Sequence, residues 1–596
     1  MRSTRTLCVA VAAIVCGGAS AASRGPAADT AGAPSELPAP TRFVSPNGTD
    51  AGTCSKSTPC RTWNRAYQVA KPGDVVEIAG GEYEPQDLAP RANTRNLSPG
   101  CSPAVTERCI VFQPATGRQV IVRGGITVRG SSVWIRGTAT PAAGIPRRNR
   151  VFNIKVLGFV DTEAASEALH PDHVIVEGVD AVSFGVFSSR AVTFRNMDVG
   201  PATVGARCRI TEGPGFENKI GFGGGIPVVP ADVTLDRMLI HNQNRNADGQ
   251  ASDCHFGGLF VVTVDGLTIK NSVFSQNAVY NIQLQNFSGP PPQNVRIENN
   301  WFGCPVEWLY DTARGGETAC NGQVDVQFNA ASLFRNWLIR YNSLAAGIGQ
   351  YVPGASYENV RIVGNVTGGL SGCYTGMTFA YNASGGRTCS PTDRRLAEIP
   401  FVSTTPGQED FELRRGTGAT AFVPPDSSDL MIPLDMEGRI RPLRFPRDAG
   451  ALQRDTALIT LGRTIGSAAI GMKRAEVLNR YEKPKRSTRA RIGPTKTRAT
   501  IDSFAVPGGV LRVTSVEERI IGLETTSRYY TLPSGLGPGS PRADADRLRG
   551  AVWTACEHAF RRNGRVIVSF VAPGKTVTSV RMTRRIYASD CSAGKN

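Results

Sequence analysis

The feature that most constrains this chain is a short motif that returns again and again through its middle. From about residue 112, β-rich segments alternate apolar and polar residues, turn at a polar pair that often contains Asn, and resume with an apolar residue. Clear copies start at Val133, Val174, Val192, Val233, Leu267, Val295, Trp337 and Val360. Aligning Phe194, Leu235, Ile269, Ile297, Ile339 and Ile362 gives steps of 41, 34, 28, 42 and 23 residues. One coil of a β-solenoid needs roughly 20–25 residues, so the longer steps hold inserted loops or two coils. Phe260 to Val264, inside the 34-residue step, is a candidate strand of a neighbouring coil.

Such a coil cannot bury its apolar side alone, whereas stacking on its neighbours buries a continuous cylinder. The recurrent Asn can stack on its equivalents and bond the turn backbone. A β-sandwich also has many short strands, but it would not be expected to repeat a motif together with its turn Asn. The expected fold is therefore all-β, a right-handed single-stranded parallel β-helix. Repetition also explains how 596 residues avoid breaking into several ordinary cores. The 40% hydrophobic content excludes general disorder, and no mid-chain apolar run is long enough to span a membrane.

The N-terminus has Arg2 and Arg5, an apolar stretch from Leu7 to Cys16, and a small-residue exit through Ala19-Ser20-Ala21. This pattern predicts a signal peptide over 1–21, followed by an Ala/Pro/Gly/Ser-rich leader over 22–40. Secretion or placement in the cell envelope follows. Twelve cysteines remain, and short-loop closure favours Cys54 with Cys60, Cys101 with Cys109, Cys208 with Cys254, Cys304 with Cys320, Cys373 with Cys389, and Cys556 with Cys591. No Cys-x2-Cys spacing occurs and there are five His, so disulfides are expected and a metal site is not.

Residues 43–83 run Phe43-Val44-Ser45-Pro46-Asn47-Gly48, Cys54, Pro59-Cys60, Ala66-Tyr67, Lys71-Pro72-Gly73-Asp74-Val75-Val76, then Gly80-Gly81-Glu82-Tyr83. This resembles the opening of secreted right-handed parallel β-helix proteins of the pectate-lyase-like class. The resemblance implies an N-terminal cap helix and a first coil. Trp63, Ala66, Tyr67, Val69 and Ala70 support the helix independently, and Pro72-Gly73-Asp74 stops it. At the other end, Leu434 to Pro442 and Asp448 to Ala451 resemble the exit segment of such proteins. The likeness covers about 41–452 and implies a carbohydrate partner, without implying one activity.

A lyase would need an Arg or Lys base and acidic residues holding Ca2+; a hydrolase would need carboxylates about 5–10 Å apart. The densest polar stretch runs from His241 through Arg245 and Asp248 to Asp253-Cys254-His255. Asp253 and His255 share one face if extended, so His255 can act as an acid/base oriented by Asp253, with Arg245 neutralising an acidic sugar. Glu307, Trp308, Tyr310 and Asp311 combine rings for a pyranose face with carboxylates for its hydroxyls. Trp301, by its place in the repeat, belongs in the coil interior. Tyr280 and Asn281, then Gln283 and Gln285, suggest an outward binding face. None of these reproduces the lyase or hydrolase residue sets of the class, so catalysis stays open. No nucleotide loop or nucleophile elbow is present.

Charge divides the chain. Residues 451–596 hold 26 Lys/Arg and 11 Asp/Glu, net +15, while residues 1–450 are near neutral at net +2. The pattern predicts a basic linker with a short helix over 453–500 and a small basic α+β domain over 501–596, its helix running from Asp544 to Phe560. Ile470 to Val477 and Tyr530-Thr531-Leu532 with Gly535-Leu536-Gly537 resemble pieces of small bacterial envelope assembly-factor domains. Outside the cell the charge suits an anionic cell-wall polymer, an acidic polysaccharide or an anionic lipid surface, and not nucleic acid. The expected function is a monomeric, non-catalytic β-helix that binds polysaccharide or wall polymer. The alternative is a lyase or glycoside hydrolase on an acidic glycan; no cofactor is expected, and Ca2+ enters only with the lyase.

Overall fold

The repeated apolar positions stand directly above one another. In the computed structural model, strand pairing aligns Phe194 with Leu235, Leu235 with Ile269, Ile269 with Ile297, Ile297 with Ile339, and Ile339 with Ile362. Each step is thus one coil, and the long steps are insertions. The structure describes residues 37–91, 100–141, 150–202, 219–222, 226–243, 257–277, 280–285, 289–303, 306–308, 317–319, 324–350, 352–405, 409–414, 417–425, 432–439, 441, 446–453, 458–481, 483–506, 508–532, 534, 536–547, 552–553, 558–563 and 566–584. Among them no helix is long and apolar enough to cross a membrane.

The aligned strands belong to a sheet of twelve parallel strands, from Arg42–Val44 to Met377–Ala380. Two further parallel stacks complete a three-sided cylinder. The second side runs from Gly81–Tyr83 through Asp198–Val199, Leu239–His241 and Trp301–Phe302 to Arg394–Arg395. The third runs from Gln86–Leu88 through Lys219–Gly221, Leu259–Val261 and Ile282–Leu284 to Ile348–Gln350. This is the right-handed parallel β-helix. Phe260 belongs to the third side of the coil that starts at Ala231, and not to a strand of a neighbouring coil.

The turn from first to second side explains the Asn. Asn196, Arg237, Asn271, Asn299 and Tyr341 all adopt left-handed backbone there, φ 51–56°. Asn tolerates that region better than most residues. The next position carries a fully buried Asn in four coils, forming a ladder. Asn300 Nδ2 donates to Asn342 Oδ1, Asn342 Nδ2 to Asn365 Oδ1, and Asn365 Nδ2 to Asn382 Oδ1, each at 3.0 Å. A second, exposed ladder links Asn294, Asn336 and Asn359 at the start of the first-side strands.

Trp63–Val69 forms the expected cap helix, with Thr62 as its N-cap. Its buried Trp63 stacks on Phe112 at 5.6 Å, sealing the first coils. The Cys54–Cys60, Cys101–Cys109 and Cys373–Cys389 disulfides form as predicted. Cys208, Cys254, Cys304, Cys320, Cys556 and Cys591 lie outside the described residues, as do the signal peptide and most of the leader.

Trp301 corrects an expectation: it lies on the outside of the second side, not in the interior. Its neighbour Phe302 points inward and stacks on Phe274, while Trp301 meets Phe411 edge-on at 5.2 Å. Phe401, Phe411, Leu413, Met436 and Leu452 from the exit segment cover Leu239, Val273, Trp301 and Leu338.

The C-terminal part is a separate core under an eight-stranded antiparallel sheet. Two expectations change here. Residues 486–492, read as linker, are the edge strand Arg486–Ile492, paired with Thr497–Val506. The predicted helix over 544–560 is a five-residue helix, Arg542–Asp546, followed by strands Val552–Trp553 and His558–Asn563. Strand pairing of 558–563 with Val566–Val571 overrides the helical spacing.

Candidate functional site

Between residues 200 and 325 the long connections lie at one corner. Ile154–Glu163 and Val179–Phe187 each run continuously from the second side to the third. In the next four coils the same passage is made by residues 200–218, 242–258, 276–281 and 303–325. Both polar stretches singled out in the sequence therefore belong to these connections. Arg245, Asp248, Asp253, His255, Tyr310 and Asp311 lie outside the described residues. Glu307 and Trp308 sit on the strand Val306–Trp308, which pairs with Glu317–Ala319 as a hairpin; their side chains lie outside the described set.

Tyr280 and Gln283 do not form the exposed binding face expected of them, although Gln283 points out of the third side. Tyr280 is 1% exposed and Gln283 5%, and Gln283 Nε2 donates to Gln327 Oε1 at 3.1 Å. Asn281 joins an internal network instead, donating to Asp325 Oδ1 at 2.8 Å while Asp325 Oδ2 accepts from the Ala346 and Gly347 amides. Burial pushes the Asp325 carboxyl well up, against the pull of these three donors.

On the second-side flank, Lys155, Asp180 and Asp198 occupy one outward column on consecutive coils, about 4.8 Å apart by strand spacing. His241 stands on the following coil, with Nε2 2.9 Å from Asp198 Oδ1, and Lys155 Nζ is 3.7 Å from Asp180 Oδ2. Burial alone would lower the His241 pKa; Asp198, Asn242 and Asp180 more than offset this and raise it. Burial raises Asp180, the Asp198 charge adds to that, and Lys155 and His241 oppose it. Sequence reasoning missed this column, although its signal was present. Asp180 and Asp198 lie four residues after Val176 and Phe194, which pair in register. Strand side chains alternate, so a fixed offset of four across a tight turn names the outward positions of the next side.

A raised histidine has a defined consequence for stability. A His held charged by Asp198 stabilises the fold fully below its ordinary pKa of about 6.5, and that contribution fades as pH rises through the higher folded value. Asp180, Asp198, Lys155, Arg150 and Asn242 are the polar groups around it. Wild type is expected to lose more stability between pH 6 and pH 9 than His241→Gln, measured as the urea midpoint at each pH. Parallel curves for the two proteins would show that the ion pair contributes nothing.

On the third-side flank the outward column runs Asp87, Thr127, Asp161, Gly185, Lys219, Phe260, Gln283, Gln327. Arg129 binds both Glu163, at 2.8 Å, and Asp87. Lys219 Nζ lies 5.6 Å from the centre of the Phe260 ring. Asp161 is pushed up to about 7, chiefly by burial and also by Glu163, against a hydrogen bond from the Gly185 amide. A Cβ at Gly185 would stand 2.6 Å from Asp161 Oδ1 and 2.2 Å from the Phe187 ring, so only glycine admits both. Among the described residues no three His, Cys, Asp or Glu side chains are placed to hold a metal ion.

No known family model and no curated protein matches the sequence. Several solved structures are similar in fold. XylC in complex with xylose shares 10% identity over 69% of this chain and 98% of its own, with a TM-score of 0.37. A rhamnogalacturonan lyase shares 12% over 61% and 91%, at 0.28, and a polygalacturonase from Erwinia carotovora 7% over 60% and 96%, at 0.22. A cysteine-rich secretory protein from Staphylococcus aureus shares 14% over 20% of this chain, at a TM-score of 0.16; the match spans 43% of that protein's length.

Proposed function

We propose that this chain is an exported or envelope-associated β-helix protein that binds an acidic polysaccharide along the corner between its second and third sides. The observation that supports this most is the concentration of insertions on four consecutive coils at that corner. It is flanked by outward Lys155 and Lys219 and by carboxylates at Asp161, Asp180 and Asp198. Mixed charge at about 4.8 Å intervals suits a linear polymer of repeated charged units. In this proposal Arg245 meets a sugar carboxylate, and Trp308 and Tyr310 supply rings, with Glu307 and Asp311 binding hydroxyls. Three disulfides fit an oxidising compartment. The test is a panel of acidic and neutral glycans read for binding, for reducing ends and for unsaturated uronate. Binding of an acidic glycan without product is expected; unsaturated uronate would replace this reading with a lyase.

A hydrolase is the second reading, and one observation favours it. Asp161 and Glu163 lie two residues apart on one strand, hence roughly 6.5–7 Å, and point to the same side. Asp161, raised to about 7, is protonated over part of the neutral range, as a general acid must be. Reducing-end release would then fall as pH rises through about 7 and vanish in Asp161→Asn. Release that persists in Asp161→Asn, or depends instead on Asp253 and His255, would remove this pair from the chemistry.

A further inference from the structure

The edge hairpin of the C-terminal sheet carries a charge pattern that folding alone does not explain. From Lys483 to Arg498 the chain has seven Lys or Arg and no Asp or Glu. All seven are exposed, and none makes an ion pair among the described residues. Elsewhere in this domain some cations are paired with acids. Arg474 grips Asp502 through two bonds of 2.7 and 3.0 Å, and Arg512 and Arg581 share Glu524. Asp502, the first acid after the hairpin in sequence, is thus already occupied by Arg474 and by Ser487.

The geometry of the seven is ordered. Arg489 and Arg491 share one face of the edge strand, two residues or roughly 6.5–7 Å apart. Arg498 lies directly opposite Arg491 in the register, about 5 Å away across the strands. Like charges placed opposite one another destabilise a strand pair, so the arrangement costs stability unless an anion bridges it. The turn that carries Lys496 holds left-handed backbone at Gly493 and Lys496, and the Lys496 amide donates to the Gly493 carbonyl at 3.1 Å. The array is therefore held on paired strands and a bonded turn and is not a loose tail.

We propose that this hairpin is a docking surface for a linear acidic polysaccharide. Repeated carboxylates along an extended polymer match cations repeated along an extended strand, and Arg offers a planar fork for each carboxylate. The disulfide-forming compartment favours a glycan over nucleic acid. The site is independent of the corner on the β-helix, so each can fail without the other.

The test uses the full chain and polygalacturonate as probe, titrated at several salt concentrations. Wild type is expected to bind with an affinity that falls steeply with salt, since each neutralised charge releases counterions. Arg489→Gln, Arg491→Gln and Arg498→Gln together are expected to weaken binding at least tenfold and flatten the salt dependence. The triple Lys variant should keep most of the binding. Arg335→Gln, on the first side of the β-helix and outside both sites, should leave this salt-dependent component unchanged. Equal affinity of wild type and the Gln variant would overturn the proposal and leave the cations as guards against edge pairing. Tighter binding of wild type to double-stranded DNA or to anionic lipid vesicles than to polygalacturonate would overturn the glycan assignment.

Discussion

Arg441→Ala is expected to release the exit segment from the β-helix and to lower stability by about 3–5 kcal/mol, the range for removing one partner from a buried charged network. Arg441 is completely buried. Its guanidinium donates to the Asp448, Gly450 and Ala451 carbonyls at 3.2, 2.8 and 3.1 Å and to Asn299 Oδ1 at 3.1 Å. It also lies 4.1 Å from the Tyr341 ring centre. Burial lowers its pKa, and Tyr341, Asp435 and Asp448 partly offset that. Alanine would leave three carbonyls buried without this donor. Lysine would not repair them, because a point ammonium cannot span acceptors arranged around a planar fork. The readouts are the denaturant midpoint and limited proteolysis, with new cleavage expected between residues 396 and 452. Resistance equal to wild type would show that the apolar contacts around Trp301 hold the segment unaided.

The effect should reach the candidate site. Glu409, on the same exit segment, accepts from Ser275 Oγ at 2.8 Å, and a Cβ at Gly303 would lie 2.9 Å from Glu409 Oε1. Ser275 and Gly303 are where two of the corner connections begin. A strap anchored by Arg441 therefore steadies the coil edges from which the 276–281 and 303–325 passages depart.

Much of the solenoid was legible because its interior asks for one thing, an apolar residue at a fixed place in each coil. Phe194, Leu235, Ile269, Ile297, Ile339 and Ile362 met that requirement and aligned correctly. Trp301 misled for a physical reason: the outer surface at that coil is also apolar, because the exit segment covers it, and a sheet buried on both faces loses its alternation. Arg486–Ile492 looked like a linker because an edge strand needs no continuous apolar face and tolerates exposed charge. The helix predicted from Asp544 to Phe560 rested on spacing alone. The outward column of Asp180 and Asp198 could have been read by counting four residues past each aligned position. The His241–Asp198 contact could not, because it depends on how the second-side strands stack across the turn.

The Asn ladder offers the sharpest test of whether burial or mere stacking matters in these turns. Asn342 is fully buried, and its Oδ1 accepts from both the backbone and side-chain nitrogens of Asn300. Its Nδ2 donates to the Ile297 carbonyl at 2.7 Å and to Asn365 Oδ1 at 3.0 Å. Asn342→Ala leaves the Asn300 amide and the Ile297 carbonyl without this partner, away from water, at a cost of roughly 2–4 kcal/mol. Asn342→Asp keeps the shape but turns the donating end into an acceptor facing two acceptors, so it should fare no better. Asn359 makes the comparison fair. It sits in the parallel ladder, bonded to Asn336 Oδ1 at 2.9 Å, but in water. Solvent can replace that bond, so Asn359→Ala is expected to lose only what alanine pays in the left-handed backbone there, φ 54°, about 1–2 kcal/mol. Urea unfolding of the three variants would decide the matter, and a larger loss at Asn359 than at Asn342 would mean that the ladders act through left-handed turn geometry and not through buried hydrogen bonds.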